Sequence, residues 1–551
     1  MTSTASRFSL VRQLAPPLCI ALAATAWLLV SVQNAGPGVT LDEPFNAQEG
    51  VRLARGVPGW IAGRYSLREV FGDASEFPRG SQPPLGYHLP DHPPLGRIWL
   101  GTWHEMTASP LETEQGRVSY AAARVGSAVA FGLTILLVGV AAARWHGAFA
   151  GFAASLALAT MPRLFGHAQL AALETVTNLT FTAALLAVAA FWKERPPRLL
   201  VAAWTGALLG LALLTKMQAV FLPLPVAVWA LARYRLRGVP PLLVWGGVGL
   251  AVFFAGWPWL WLDPLQHPLE YFRQTTERVS LHTFYFGTRY LDRDVPWHYP
   301  LLMFLTTVPI GWHIAGFLGA VVGRRKAEGS AKLISHYLPP SAFALLAGTM
   351  LLPLIAFSIP GVTVYDGARL FLIVFPTWAI FVGCGTAAVL DWLRRRYSRF
   401  AVPTMAVLLA TSIVPLWQFR PCQLSYYNAL AGGLWGAEKL GLEVSYWGDG
   451  LTAEFLDEAA NAVPPDATID VVPVMHQLQL DALGQQSAAL RERNITLRGY
   501  DPQKHGPSKY VLLYRRRADL PPELEPLSTD AHVLAELRRQ GVVLAAVVET
   551  P

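Results

Sequence analysis

The sequence predicts a polytopic α-helical membrane protein that ends in a small α/β domain. Three observations carry this. Of 551 residues, 53% are hydrophobic and only 15% are charged, against about 25% charged in a soluble domain. Uncharged apolar runs of about 20 residues recur over the first three quarters of the chain, each long enough to cross a bilayer as a helix. Beyond residue 419 these runs stop, and short β-prone stretches alternate with charged, helix-like ones. A mean hydropathy of +0.35, with 19 Trp and 26 Phe, fits a lipid-embedded chain.

Candidate spans lie at 14–33, 119–143, 147–163, 172–192, 199–214, 217–232, 240–262, 299–322, 339–358, 370–390 and 400–418, about eleven helices. The first run is long and lacks a small-residue cleavage motif, so it reads as a retained helix rather than a signal peptide. Two stretches are interrupted. Thr215-Lys216 breaks 199–232, and the segment from Arg163 to Glu174 breaks 147–192. Read as hairpins, these breaks put every basic cluster on the side of the N-terminus: Arg7 and Arg12, Arg144, Lys193/Arg195/Arg198, Arg233/Arg235/Arg237, Arg324/Arg325/Lys326 and Arg394/Arg395/Arg396/Arg399. The positive-inside rule makes that side cytoplasmic. The expectation is a multi-pass protein of the inner (plasma) membrane, with its N-terminus in the cytoplasm and its C-terminal domain outside.

Two domains follow: a membrane domain over 1–418 and an extracytoplasmic α/β domain over 419–551. The first outer loop, 34–118, is too long for a bare connector. Its stretches 51–63 and 97–106 suit short amphipathic helices at the membrane surface. In the tail, 467–474, 509–516 and 541–549 read as strands, and 453–463 and 530–540 as helices. The net charge of +7 belongs to inward loops and gives no reason to invoke nucleic acid. The three cysteines have neither disulfide-framework nor metal-site spacing. No Walker-type loop is present, which leaves ATP-driven transport unsupported.

The residues that could carry chemistry crowd at the outer face. Asp42-Glu43 follows the first span, where a carboxylate near apolar walls suits proton abstraction and one in water is a mere helix end. The string DHPPLGR (91–97) is a rigid proline turn presenting Asp91, His92 and Arg97. His and Arg there suit a phosphate, or else are solvated loop charges. Lys216 and Arg369 stand at outer ends of apolar spans, where a cation wants an anionic partner such as a lipid phosphate, or snorkels to headgroups. Arg369 lies in VYDGARLFLIVFP (364–376), which adds Tyr365 and Asp366 to the cleft. Glu174, in the outer turn between the third and fourth spans, is a further acidic candidate. The aromatic stretch 282–309 offers His282, Arg289, His298 and Tyr299 to sugar or phosphate, unless it is an interfacial belt. In 424–450, Tyr427, Asn428, Trp447 and Asp449 either line an acceptor side or pack the outer domain onto the bundle.

The acidic pair beyond the first span, followed about fifty residues later by the His-Pro-Pro-Leu-Gly-basic turn, resembles the GT-C glycosyltransferases that use polyprenyl-phosphate sugars. The resemblance covers 34–390 and, more loosely, the start of the tail. It is nearest the protein O-mannosyltransferase and lipid A aminoarabinose transferase branch. It implies an inverting transfer from a polyprenyl-phosphate-linked sugar to an acceptor hydroxyl. Asp42 would be the base, with Glu43 as a supporting carboxylate or metal ligand. His92, Arg97, Arg369 and Lys216 would hold the donor phosphate. The metal is unknown, and a divalent cation as cofactor is left open. The 263–298 loop is too short for the soluble repeats of the protein-modifying branch, and the lipid A branch has a lysine where His92 stands. A glycan, a lipid or a protein therefore all remain as acceptors. The alternative is a multi-span lipid or solute transporter or flippase, although such proteins place binding charges near the midplane.

Overall fold

The computed structural model describes residues 2–34, 36–78, 80–81, 83–110, 112, 116–193, 195–276, 280–322, 340–521, 524 and 532–550. The expected basic cluster Arg324/Arg325/Lys326 lies outside them. Among the described residues, six helical segments are long and apolar enough to cross a membrane: Gln13–Gln33, Tyr120–His146, Leu173–Phe191, Met217–Gly256, Val374–Arg396 and Ala401–Gln418. The expected spans 217–232 and 240–262 are two parts of Met217–Gly256, divided where Arg235 takes a positive φ of 54°. The expected spans at 147–163, 199–214 and 339–358 are shorter apolar helices, Ala148–Ala159, Leu199–Leu213 and Ala342–Phe357.

The expected span 299–322 is corrected. It is two helices, Tyr299–Thr306 and Ile310–Val322, bent by 110°. Pro309 cannot continue the backbone ladder. Backbone carbonyls freed by such a bend need donors at membrane depth. Asn428 supplies them. Its side chain donates to the carbonyls of Leu305 (2.7 Å) and Val308 (2.6 Å), and its backbone N–H donates to Thr306 (2.8 Å).

Both interrupted runs reverse direction. Glu174 and Lys216, one in each break, meet at 2.5 Å. At the far ends of the same helices, Arg233 Nε and the Tyr234 hydroxyl donate to the Lys193 carbonyl at 3.0 and 2.5 Å. Glu174 and Lys216 thus mark one end of the bundle, and the basic residues near 193 and 233 mark the other.

Glycine lets the helices touch backbone to backbone. A Cβ on Gly319 would collide with the Phe381 backbone, and one on Gly385 with the Ala315 backbone. Gly311, in the same helix as Gly319, faces open space. Gly319→Leu is expected to lower the melting temperature of the detergent-solubilised protein, since overpacking costs about 1–3 kcal/mol. Gly311→Leu should leave that temperature unchanged.

The outer loop is helical where amphipathic helices are expected, at Glu43–Ile61 and Pro94–Thr107. These two helices pack through Gly50, whose Cβ position is filled by the Arg97 carbonyl and the Gly101 amide. Between the spans, strands β1 (His282–Tyr285) and β2 (Thr288–Leu291) form an antiparallel hairpin. The C-terminal domain holds β3 (Thr468–Val472), β4 (Thr496–Gly499), β5 (Tyr510–Tyr514), β6 (His532–Arg539) and β7 (Val542–Glu549). Their order is β4-β3-β5-β7-β6. β3 runs parallel to β4 and β5, and β7 antiparallel to β5 and β6. The three expected strands are present. The expected helix at 453–463 is Ala453–Ala462, capped by the Thr452 side chain. The expected helix at 530–540 is corrected, because 532–539 form β6. It pairs along its length with β7, and Gly541 at φ 80° turns the chain back into that partner. Helix and strand periods compete over so short a stretch, and sheet pairing decides.

Candidate active site

Arg369 organises a cluster at the Glu174–Lys216 end of the bundle. It sits in the turn that opens the helix Val374–Arg396 and is 9% exposed. Each of its three side-chain nitrogens donates to a different carboxylate. Nε reaches Glu174 at 2.9 Å, Nη1 reaches Asp366 at 3.0 Å, and Nη2 reaches Asp42. Lys216, also buried, donates to the same Glu174 oxygen. Glu174 and Asp366 are buried, whereas the Asp42 side chain is 38% exposed. Asp42 is therefore the most exposed carboxylate of the three. The Arg369 guanidinium lies over the Trp447 ring at 4.1 Å and near the Tyr365 ring at 5.9 Å. Burial pushes the Asp366 carboxyl up, with Arg516 and Arg369 opposing.

The DHPPLGR turn lies alongside. The Leu95 amide donates to the Leu214 carbonyl at 3.0 Å, and Gly96 lies against Leu173. This brings His92 within the fields of Lys216 and Asp42. Its half-buried imidazole makes no hydrogen bond among the described residues. Burial, aided by Arg97 and Lys216 and opposed by Asp91, pulls it down to about 4. His92 is thus neutral at pH 7 and open to a ligand.

Two expected site residues are placed elsewhere. Glu43 is fully buried and its carboxylate is fully engaged. Arg124 donates to it at 2.7 and 2.8 Å, and the backbone amides of Thr40 and Ala171 donate at 2.8 and 2.6 Å. A carboxylate so saturated has no site left for a metal ion or a substrate. Arg97 is 1% exposed. It grips Asp91 in bidentate fashion at 2.7 and 3.0 Å and also donates to the Leu89 carbonyl and to Asn46. In this structure the donors of Arg97, expected at the donor phosphate, are engaged in holding the turn. Asp91 is correspondingly its anchor, held at about 2 by Arg97 against the opposing effect of burial.

Other expected residues lie at the edge. His282 points to Asp519 at 3.8 Å and lines a small cavity with Asp366, Tyr446 and Arg516. Tyr299 accepts from the Gly367 amide at 2.9 Å, His298 meets the Tyr285 hydroxyl at 2.7 Å, and Arg289 meets His282 at 3.1 Å. Tyr427 lies under the Arg163 guanidinium at 4.6 Å, and Asp449 is buried, its carboxyl raised to about 7 by that burial. No group of three or more His, Cys, Asp or Glu arranged to hold a metal occurs among the described residues.

The helices beneath the loop carry their own ion network. Glu49 binds Arg52 at 2.8 Å and the buried His88 at 2.5 Å. Burial works to raise the Glu49 carboxyl, but His88 and Arg52 win and hold it at about 2, below its ordinary 4.5. A depressed carboxylate stabilises the fold above its ordinary pKa and loses that contribution as pH falls through its lowered one. The gap in melting temperature between wild type and Glu49→Gln should therefore narrow from pH 5 downwards.

Four residues with roles here have little signal in the sequence. Arg124 lies inside a span, and Arg163 shows only as the edge of an interrupted run. Tyr446 and Arg516 lie in the tail. Arg516 pairs with Asp366 at 3.3 Å, a contact that crosses the domain boundary and has no local pattern.

Residues 113–260 match the family model of dolichyl-phosphate-mannose-protein mannosyltransferases. No curated protein matches the chain by sequence. Among solved structures, ArnT from Cupriavidus metallidurans in the apo state matches at 14% identity and a TM-score of 0.50, over 99% of this chain and 98% of that one. The same protein bound to undecaprenyl phosphate matches at 15% identity and 0.47, over 97% of each chain. The oligosaccharyltransferase AglB from Archaeoglobus fulgidus, in complex with an inhibitory peptide and a dolichol-phosphate, matches at 12% identity and 0.44, over 90% of this chain and 69% of that one. The apolar helices and the likeness to ArnT define the fold class of a multi-pass membrane protein, and the matched segment is similar to polyprenyl-phosphate-dependent glycosyltransferases. The likeness is to the GT-C branch of the protein O-mannosyltransferases and ArnT.

Proposed function

We propose that the chain transfers a sugar, with inversion, from a polyprenyl-phosphate donor to an acceptor hydroxyl at the outer face of the membrane. The observation that carries this reading is the half-exposed Asp42 carboxylate on a guanidinium whose other two nitrogens are fixed by buried carboxylates. The phosphate of an arriving donor competes with Asp42 for Arg369 Nη2, through charge-assisted hydrogen bonds. Lys216 adds charge and the neutral His92 adds a hydrogen-bond donor. Once displaced, Asp42 accepts the proton of the acceptor hydroxyl. The acceptor oxygen then attacks the anomeric carbon from the face opposite the phosphate. The bond from that carbon to the phosphate oxygen breaks, and the electron pair leaves with the polyprenyl phosphate, whose new charge rests on Arg369 and Lys216. Arg97 and Asp91 fix the turn that aims His92, and Glu43 with Arg124 fixes the loop that aims Asp42.

The outer-face assignment is supported by charge distribution. The site lies at the bundle end opposite Lys193 and Arg233, and basic loops favour the cytoplasm. The experiment is transfer of label from a set of polyprenyl-phosphate sugars in membranes holding the protein. Product formation supports the reading and identifies the acceptor. Absence of transfer across the common lipid-linked sugars, with folded protein present, would overturn it.

A further inference from the structure

The C-terminal domain reaches the phosphate-binding arginine itself. Trp447 lays its indole against the Arg369 guanidinium at 4.1 Å. Asp366 is shared: one oxygen accepts from Arg369 at 3.0 Å and the other pairs with Arg516 at 3.3 Å. Arg516 is fixed in turn by Asp519 at 2.6 Å and by the Tyr446 carbonyl. Trp447 and Arg516 are 1% and 4% exposed.

The same domain also holds the loop that carries Asp42. The Leu41 amide donates to the Trp447 carbonyl at 3.2 Å, and the Gly38 amide to the Asp449 carbonyl at 2.9 Å. The Gln479 side chain donates to the Leu41 carbonyl at 2.8 Å, and the Val39 amide donates to Gln486 at 3.0 Å. A Cβ on Gly38 would collide with the Leu451 backbone, so the loop and the domain meet backbone to backbone. One surface of the C-terminal domain thus touches both the loop of Asp42 and the arginine opposite it.

We propose that Trp447 and Arg516 are positioning residues that set Arg369 for the donor phosphate. This rests on the function proposed above. Asp366 competes with phosphate for Arg369. Sharing Asp366 with Arg516 weakens that competition, because a carboxylate between two cations divides its charge. The Trp447 face keeps the guanidinium in one plane, through cation–π attraction and the exclusion of water.

The test is a double-mutant cycle on the binding of undecaprenyl phosphate to the full chain in detergent, with melting temperature as the folding control. Arg516→Gln should weaken binding about tenfold, because Asp366 then belongs to Arg369 alone. In the Asp366→Asn background the same substitution should cost nothing further. If Arg516→Gln costs as much in the Asp366→Asn background as in wild type, Arg516 does not act through Asp366 and the proposal is overturned. Trp447→Phe should bind nearly as wild type and Trp447→Leu more weakly, whereas equal losses would remove Trp447 from it. If Arg516→Gln yields no folded protein, Arg516→Met, which also removes the cation, closes the same cycle. Failure of wild type to bind the lipid, or undiminished binding by Arg369→Gln, is a different outcome: it overturns the phosphate site itself, and the positioning roles with it.

Discussion

Replacing Arg369 by Gln is expected to weaken donor binding by about 10- to 100-fold, the effect of losing hydrogen bonds to a charged phosphate. The side chain is central because three carboxylates converge on it. Its removal leaves Asp366 with Arg516 and Glu174 with Lys216, so neither buried charge is stranded. The destabilisation should accordingly fall below the 3–5 kcal/mol typical of breaking an isolated buried pair. Arg369→Lys keeps the charge but cannot address three oxygens from one plane. It should retain part of the binding and little of the turnover. Donor affinity measured beside the melting temperature separates the two effects. A variant that melts as wild type and binds the donor as wild type would remove Arg369 from the phosphate site.

Much of this site was legible because its charges are conspicuous. Lys216, Glu174 and Arg369 each interrupt or border an apolar run, where an ionisable residue is costly without a partner. The sequence could not say that all three would meet. Arg369 and Asp42 are 327 positions apart, and their contact depends on how the helices return. Glu43 and Arg97 show the opposite case. Both look like chemistry in the sequence, yet both are buried and saturated, Glu43 by Arg124 and Arg97 by Asp91. Residue type and spacing do not distinguish a ligand from an anchor; burial and hydrogen-bond saturation do. The membrane helices were legible from hydropathy. The bend between Thr306 and Ile310 has a local cause in Pro309, but the donors that satisfy it come from Asn428, more than a hundred residues away. The strand at 532–539 has no legible period of its own, because its pairing partner β7 sets its conformation.

Asp42→Asn is the substitution with the largest expected effect on turnover. Asparagine has the same shape and can still accept from Arg369, but it cannot take a proton. Loss of a general base lowers rates by about 10²- to 10⁴-fold. The fold should tolerate the change, because Asp42 is partly exposed and makes no side-chain cap bond at the start of its helix. Donor binding should be retained, because Arg369, Lys216 and His92 are untouched. The most direct measurement is transfer of label from a polyprenyl-phosphate sugar in membranes, comparing wild type and Asp42→Asn at matched protein levels. The account predicts transfer by wild type and a loss of at least about 10²-fold in the variant, with donor binding unchanged. Full transfer by a well-folded Asp42→Asn protein would contradict it.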